Sequence, residues 1–400
     1  MPTWIGETAF NAGDATAAFA FASREDITRV LLAAVRRGAS DVVLQTGRPV
    51  LAAVNGRLTA LTSTWLQQHV MERVAVELTG VDSIMSKLYA GRDFDHAFHI
   101  PDDSLRDEFD EPVKHRFRLN LTPNYCEGDV GLQAVCRYIP SFPPSTKDVF
   151  LEEEIVTEST PAQGAVIIAG ETGSGKTTTF AALIRRILEG DTPIEGNVIT
   201  YEAPIEFVFE GVSSPTCTVS QHEIGVHLPD FAAGVRNSLR RKPGLIVVGE
   251  LRDMDTIMAA VEAANTGHPL YTTTHANNVA LVLRRLSLKF PADLQSQGFH
   301  DVLATTHMIV SQVLVPKMGG GRVCLREWQV LTDDVRREVE TAGMERSPAT
   351  MQAIIRRNEN GRSMDRTVRA ALGQNLIDTK TAHRVLQRYG YRHADILAAA

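Results

Sequence analysis

The sequence predicts an α/β fold built on a parallel sheet, preceded by an N-terminal α+β domain and followed by a small helical region. From about residue 150, short Val/Ile-rich runs such as "GAVIIAG", "GNVITYE", "GLIVVGE" and "HPLYTTT" alternate with helical stretches. This alternation is typical of a parallel sheet covered by helices. The earlier part mixes amphipathic helices with alternating strands, and the part after about residue 331 is polar with helical spacing.

The length and composition indicate a folded protein of two or three domains. The 400 residues are 44% hydrophobic and 22% charged, close to the average of folded soluble proteins. No stretch of the sequence approaches the roughly 20 uninterrupted apolar residues of a membrane span. The N-terminus lacks the basic and apolar regions of a signal peptide. We therefore expect a cytoplasmic protein.

Cysteine spacing and net charge narrow the classes of function. The four cysteines, Cys126, Cys136, Cys217 and Cys324, lie far apart without a C-x-x-C pair. This spacing argues against a zinc ribbon and against a disulfide framework. The formal net charge of −7 and the 6% aromatic content do not favour direct nucleic-acid binding, although a local basic groove is compatible with an acidic total.

The N-terminal part is predicted to contain a mobile arm over residues 1–22 and an α+β domain over residues 23–139. The predicted elements are a helix over 27–35 that ends at Gly38, a strand over 41–45, a hairpin that turns at Asn55-Gly56, a helix over about 64–78, and strands around 93–99, 115–121 and 130–138. The acidic stretch 101–112 is predicted to be a solvated loop, with a partner-docking tip as the alternative.

A proline-rich linker separates the N-terminal domain from the rest of the chain. The stretch "PSFPPSTKD" over residues 140–148 is the predicted linker, because its prolines exclude a helix. The parallel-sheet domain is predicted over residues 149–330. The C-terminal helical region is predicted over residues 331–400.

The strongest motif is a glycine-rich turn between an apolar strand and an amphipathic helix, in "VIIAGETGSGKTTTFAALIRRIL". It satisfies the pattern G-x-x-x-x-G-K-[ST], in which glycines let the backbone approach a phosphate and the helix N-terminus favours an anion. Lys176 is expected to neutralise the β- and γ-phosphates, and the Thr177 hydroxyl to complete the Mg²⁺ shell. The predicted ATP-binding residues are Gly170, Glu171, Thr172, Gly173, Ser174, Gly175, Lys176, Thr177 and Thr178.

Carboxylates at the ends of two further predicted strands suit hydrolysis. Glu250 ends the run in "RRKPGLIVVGELRD", and Glu202 ends the run in "VITYEAPIEFVFE", with Glu206 four residues later. Open parallel sheets bind ligands at the C-terminal edge of their strands. These groups can therefore orient water, and Glu250 can also hold Mg²⁺. A surface glutamate paired with a lysine is the alternative for Glu206.

A histidine ends the fourth predicted strand, in "TGHPLYTTTHANN". An imidazole at His275 can donate a hydrogen bond to the γ-phosphate and lose it after cleavage, so that it senses the nucleotide state. A metal-ligand role is disfavoured because no ligands with suitable spacing lie nearby. A hydrogen-bonded core histidine remains the alternative. His268 is a weaker candidate for the same site.

These four segments, in this order, resemble the Walker A loop, Asp box, Walker B strand and His box of the secretion ATPase family that includes the pilus-retraction motor PilT. The resemblance covers about residues 25–390, since "GASDVVLQTGRPVLAAVNGRL" is similar to the start of the family's N-terminal domain and "HRFRLNLTPNY" to its arginine-bearing strand. It implies a RecA-like P-loop NTPase core, a PAS-like N-terminal domain and a homohexamer with nucleotide sites between subunits.

The same resemblance implies that two arginines of the N-terminal domain, Arg116 and Arg118, approach the nucleotide. Their alternation with Phe117 and Leu119 would put both on one side of a strand. A pair of solvent-exposed strand arginines is the alternative. Further candidates for charge stabilisation are Arg236, Arg240 and Arg252.

The chain departs from the pilus motors in two sequence features, and in both it resembles the DotB/TraJ branch, which serves type IVB secretion and plasmid conjugation. Ala203 stands where a pilus motor usually has aspartate, and an acidic insertion lies near 101–112. Within this GspE/PulE-like superfamily, the missing four-cysteine zinc motif separates the chain from the pilus-assembly and type II secretion relatives. The resemblance implies a Mg²⁺-dependent ATPase motor at the cytoplasmic face of the inner membrane, held there by channel or platform proteins. A pilus-retraction ATPase and a RecA-like nucleic-acid translocase are the alternatives.

Overall fold

The structure is a computed structural model that describes residues 23–54, 57–106, 110–139, 142–190 and 192–391. The chain divides into two compact units, Met1–Ser141 and Phe142–Ala400. The predicted arm over residues 1–22 lies outside the described residues. Within the described ranges, no helix combines the length and the apolar character that a membrane crossing requires.

The first unit is an antiparallel sheet covered by helices. Its elements are α1 (Arg24–Arg36), β1 (Ala39–Gln45), β2 (Leu51–Val54), β3 (Arg57–Ala60), α2 (Gln68–Thr79), α3 (Ile84–Tyr89), β4 (Phe94–Arg106), β5 (Pro112–Cys126) and β6 (Asp129–Ile139). The six strands lie in the order β3-β2-β1-β6-β5-β4. Their inward side chains and the helices form one apolar core.

The predicted elements of this unit are found with small changes in their bounds. The predicted first helix is α1, and Gly38 behind it has φ 68°. Strands β2 and β3 form the predicted hairpin, with Val54 opposite Arg57. The turn residues predicted for it, 55–56, lie outside the described part of the chain. Helix α3 was not predicted.

The prediction that the acidic stretch forms a solvated loop is wrong for the residues that the structure describes up to Arg106, because they continue β4. Asp102 is only 2% exposed. Its carboxylate lies 3.4 Å from Arg36 Nη2 and 3.6 Å from His115 Nε2. A buried carboxylate is tolerated where such partners are present. Arg36 lies 66 residues away in the sequence, and His115 lies on the adjacent strand β5.

The second unit contains the predicted parallel sheet. Its elements are α4 (Glu153–Glu158), β7 (Gly164–Ala169), α5 (Lys176–Leu188), β8 (Gly196–Glu202), β9 (Cys217–Glu223), α6 (Phe231–Ser238), β10 (Pro243–Val248), α7 (Met254–Asn265), β11 (Pro269–Thr274), a 3-10 turn (Val279–Leu281), α8 (Val282–Ser287), α9 (Gln295–Thr305), β12 (Thr306–Pro316), β13 (Arg322–Val330), α10 (Asp333–Arg357, broken at Gly343), β14 (Gly361–Arg362), α11 (Met364–Gly373) and α12 (Thr379–Arg388).

The strands of this unit follow the order β14-β13-β12-β7-β11-β10-β8-β9. The six from β12 to β9 pair in parallel, and β13 and β14 add antiparallel strands at one edge. Strand β7 is fully buried, and its successive side chains enter two different cores. Ile167 packs with residues of α6 to α10, whereas Val166 and Ile168 pack with α5. The predicted α/β class is confirmed.

The segments after residue 331 pack against this sheet. Helix α10 buries Val335, Val339 and Ile354 in the core shared with α6 to α9, and β14 pairs with β13. Helices α11 and α12 form a separate apolar cluster with the end of β12 and the start of β13. The last helices therefore rest on β12, which borders β7, and on its outer neighbour β13.

A buried carboxyl group joins three parts of this unit. Glu327 on β13 has no exposed surface. Its Oε1 accepts a 2.8 Å hydrogen bond from the Val279 N–H, and the N–H of Met364, the first residue of α11, lies near enough to this carboxyl group to lower its pKa. Burial raises the pKa of Glu327 to about 7, because desolvation disfavours the charged form.

We expect the contribution of Glu327 to the stability of the protein to fall as the pH rises from about 5 to about 7. In that range folded Glu327 keeps a proton that the unfolded chain has released. The shift from the ordinary value of 4.5 to about 7 corresponds to on the order of 3 kcal/mol of unfolding free energy. Glu327→Gln, which resembles the protonated group, should flatten the pH dependence of thermal or urea unfolding.

The matched control is Glu359→Gln, which changes an exposed glutamate of the same unit. It should leave the pH dependence of unfolding as it is in the wild type. If Glu327→Gln and the wild type lose stability equally between about pH 5 and pH 8, Glu327 does not hold a proton in the folded protein.

Candidate active site

The turn between β7 and α5 forms a backbone cradle, residues 170–178. Gly170 has φ 155° and Gly175, directly before α5, has φ 85°. A Cβ atom on Gly170 would lie 2.5 Å from the Ser174 hydroxyl oxygen and 2.6 Å from the Gln312 carbonyl oxygen, so only glycine fits there. The first N–H groups of α5 have no partner within the helix. The cradle is therefore suited to bind an anion.

Lys176 lies over the cradle. Its Nζ donates hydrogen bonds of 2.9 Å and 3.0 Å to the carbonyl oxygens of Gly170 and Glu171. Burial lowers the pKa of Lys176, whereas the charges of Glu250 and Glu206 raise it. The lysine and these two carboxylates therefore share one electrostatic environment.

A buried glutamine on the neighbouring strand β12 fixes the cradle. Gln312 has no exposed surface. Its Nε2 donates a 2.7 Å hydrogen bond to the Ser174 carbonyl, and its Oε1 accepts a 3.0 Å hydrogen bond from the Thr179 hydroxyl. Sequence reasoning missed this residue. The available signal was the polar pair Ser311-Gln312 inside an apolar strand, because buried polar groups need partners.

Glu250 lies two residues after β10, at the edge of the sheet that carries the cradle. Its Oε2 accepts a 2.8 Å hydrogen bond from Arg252 Nε, and its Oε1 lies 3.5 Å from His275 Nε2. The Glu250 side chain is 22% exposed. Arg252 was predicted only as a candidate for charge stabilisation. In the structure it forms an ion pair with Glu250.

Glu202 and Glu206 lie at the end of β8 and just after it. Glu202 Oε1 accepts hydrogen bonds from the Thr200 hydroxyl at 2.7 Å and from Gln221 Nε2 at 3.2 Å. Burial raises the pKa of Glu202 against these hydrogen bonds, which lower it. The backbone N–H of Glu206 also donates to Glu202. Glu202 therefore supports the segment that carries Glu206.

His275 follows β11, which lies between β7 and β10. Its side chain is 40% exposed, so it is not a buried core histidine. The structure thus brings Lys176, Glu250, Glu206 and His275 to one edge of the sheet. The catalytic roles assigned to them remain predictions.

The assignment of His268 to this site is wrong. It precedes β11, and Pro269 pairs with Gly164 at the start of β7. His268 therefore lies at the opposite edge of the sheet from the cradle. Its Nδ1 lies 3.3 Å from the Ala263 carbonyl oxygen, a contact with the end of α7.

The two arginines predicted to approach the nucleotide lie on β5 of the first unit. Phe117 and Leu119 are fully buried, whereas Arg116 and Arg118 are half-buried. The two arginines therefore share one face of the strand, as their alternation predicts. Arg118 Nη2 lies 3.8 Å from Asp95 Oδ1. Their contact with a nucleotide remains a prediction.

The donor set of the cradle suits Mg²⁺ bound together with phosphate. Among the residues that the structure describes, no group of three or more His, Cys, Asp or Glu side chains could hold a metal ion without other ligands. Thr177 is the second residue of α5, and the Glu250 carboxylate lies at the same edge of the sheet. Mg²⁺ prefers such oxygen donors and commonly takes its other ligands from phosphate and water.

Comparisons with known proteins agree with this geometry. Residues 151–388 match the model of the type II/IV secretion system protein family. The type IV pilus retraction ATPase PilT of Pseudomonas aeruginosa is 30% identical over 311 residues, which are 78% of this chain and 84% of that protein.

Two solved structures resemble nearly the whole chain. The Legionella pneumophila ATPase DotB matches with a TM-score of 0.81 and 35% identity, over 91% of this chain and 96% of that chain. The pilus retraction motor PilT with bound ADP matches with a TM-score of 0.72 and 28% identity, over 90% and 96%. These matches confirm the predicted resemblance, including its RecA-like core. The chain belongs to the type II/IV secretion system protein family, among its PilT-like members.

Proposed function

We propose that this protein is a motor that hydrolyses ATP to ADP and phosphate and powers a type IVB-like secretion or conjugative transfer apparatus. The observation that supports the chemistry is the convergence of the cradle, Glu250 and His275 on one edge of the parallel sheet. The relatives named above are ATPases, and one of them binds ADP.

In this proposal Lys176 binds the β- and γ-phosphates of ATP. Its acceptors within the protein are neutral carbonyl oxygens, and a triphosphate offers stronger, charge-assisted hydrogen bonds. Glu250 orients or activates the attacking water, supported by Glu206 and Glu202. His275 contacts the γ-phosphate and loses that contact after cleavage.

Mg²⁺ is the proposed cofactor together with ATP. Thr177 would bind it through its hydroxyl, and Glu250 would hold it directly or through water. When bound, Mg²⁺ neutralises phosphate charge and orients the phosphate oxygens.

The proposed assembly is a homohexamer that acts at the cytoplasmic face of the inner membrane through channel or platform proteins. Arg116 and Arg118 of one subunit would reach the nucleotide of its neighbour, where guanidinium groups stabilise the charge that develops on the phosphates. Their position on a separate unit of the chain suits a contact that changes when the two units move.

The secretion branch is favoured over pilus retraction by the higher similarity to DotB, with 35% identity against 28% for the PilT structure. Pilus retraction is the second candidate, because the Pseudomonas PilT sequence is matched over 84% of its length. A nucleic-acid translocase is not favoured by the net charge of −7 or the 6% aromatic content.

Lys176→Ala and Glu250→Gln should each lower the ATPase rate at least about 100-fold. The two variants should differ in binding. Lys176→Ala removes a phosphate ligand, whereas Glu250→Gln keeps all phosphate ligands and keeps an amide oxygen towards Mg²⁺ while it removes the carboxylate that directs water. Isothermal titration with ATP and Mg²⁺ should therefore detect binding to Glu250→Gln and little binding to Lys176→Ala.

Exposed residues of the same types in the second unit serve as matched controls, namely Lys289→Ala and Glu262→Gln. Both should retain the wild-type ATPase rate. Normal turnover in Lys176→Ala or in Glu250→Gln would refute the site assignment.

The arginines can be tested by mixing inactive subunits. The double variant Arg116→Ala/Arg118→Ala should lose ATPase activity, and so should Lys176→Ala. If the arginines act on the neighbour's nucleotide, an equal mixture of the two proteins regains part of the activity, because some interfaces combine an intact cradle with intact arginines. Arg137→Ala, a surface arginine of the same sheet that pairs with Asp41, is the control and should remain active. A mixture without any activity would contradict the contribution in trans.

The branch can be tested by affinity purification of Glu250→Gln with ATP from the native cell. A trapped ATP state should retain its partner longest, and mass spectrometry should then find components of a secretion or conjugation channel. Recovery of pilin-platform proteins instead, and not with Lys176→Ala, would assign the motor to pilus retraction.

A further inference from the structure

The last helix of the second unit contacts the cradle. Arg388 ends α12, and its Nη2 lies 2.8 Å from Oε1 of Glu171, the second residue of the cradle. Arg388 is 25% exposed and Glu171 is 62% exposed. The glycine-lysine motif leaves the residue at position 171 unspecified, so this ion pair is a property of this chain's own residues.

Helix α12 is held in place by contacts that do not involve the cradle. Tyr389, next to Arg388, is buried, and its hydroxyl lies 3.1 Å from the Ser311 hydroxyl on β12. The apolar face of α12 packs against β12 and β13. Because successive strand residues point to opposite faces, Ser311 contacts α12 while Gln312 holds the cradle. Arg388 is therefore presented to Glu171 from a fixed support.

Glu171 places a negative charge in a loop that is built to bind a polyanion. Its carbonyl oxygen accepts a hydrogen bond from Lys176, so its backbone belongs to the cradle itself. A carboxylate at this position opposes the binding of a triphosphate by like-charge repulsion. The guanidinium of Arg388 offsets that charge at contact distance.

We propose that Arg388 is a positioning residue for nucleotide binding, which neutralises Glu171 and so keeps the field in the cradle favourable for a triphosphate. The inference rests on the proposed binding of ATP at this loop. It also connects the C-terminal helices to the occupancy of the cradle. A cation in the last turn of a helix stabilises the helix dipole as well, but that role does not depend on Glu171.

The test is a double-variant cycle on the affinity for ATP with Mg²⁺, measured by isothermal titration on the full chain. Arg388→Ala should raise the Kd about threefold to tenfold, and the effect should shrink at high salt. Glu171→Gln should bind ATP at least as tightly as the wild type. The double variant should bind about as tightly as the wild type, because removing both charges leaves the cradle with the same net charge. Arg388→Lys should retain most of the affinity, and in ATPase assays the change should appear in KM rather than in kcat.

Arg384→Ala is the matched control, since Arg384 lies one turn earlier on α12 and donates to Thr381 of the same helix. Its Kd should equal that of the wild type. A double variant that binds as weakly as Arg388→Ala would overturn the inference, because α12 would then act through the fold and not through the charge of Glu171. Normal ATP binding by Lys176→Ala would instead overturn the proposed function itself, which separates the two failures.

Discussion

The parallel pairing of β7, β11, β10 and β8 is the constraint on which the site depends. Ala169 pairs with Thr274, and Thr272 pairs with Val248, which also pairs with Tyr201. Since these strands end at one edge, the residues that follow them emerge together although they lie far apart in the sequence. The two faces of these strands pack into different cores. A slip of one residue would move each side chain into the other core and disrupt the packing of both. The sheet core thus determines where the charged residues meet.

The charged groups of the site have partners within the protein. Lys176 donates to two carbonyl oxygens, and Glu250 pairs with Arg252 and lies near His275. A ligand must therefore compete with these internal contacts. It binds only if it carries more charge than the internal partners that it displaces. Mg²⁺ with a triphosphate meets this requirement, whereas a neutral ligand does not. The internal pairs select for polyanions and also keep buried charge from being left without a partner.

What the sequence could predict was local, and what it missed depended on contacts between distant residues. The cradle, α5 and the buried strands follow from patterns within about 20 residues, in which periodicity and glycine positions are informative. The partners of the cradle, Gln312 and Arg388, lie more than a hundred residues away from it. The acidic stretch was misassigned because Asp102 pairs with Arg36 of α1, 66 residues away, and because pairing with β5 continues β4. His268 was misassigned because it precedes β11 whereas His275 follows β11, so the two histidines lie at opposite edges of the sheet.

The segment after His275 connects the site to the C-terminal helices. Val279, four residues after His275, is fully buried, and its N–H donates to the buried carboxyl group of Glu327. The Met364 N–H at the start of α11 also lies near Glu327. If Val279 moved alone, its N–H and the Glu327 carboxyl group would be buried without a hydrogen-bond partner. The free-energy cost of this is larger than that of displacing an exposed loop. A displacement of His275 is therefore either confined to the three residues before Val279, or it also displaces β13 and α11. Helix α12 contacts the cradle directly through Arg388, whereas α11 reaches the segment after His275 indirectly, through Glu327. The C-terminal helices therefore have two routes by which a change of packing could reach the site.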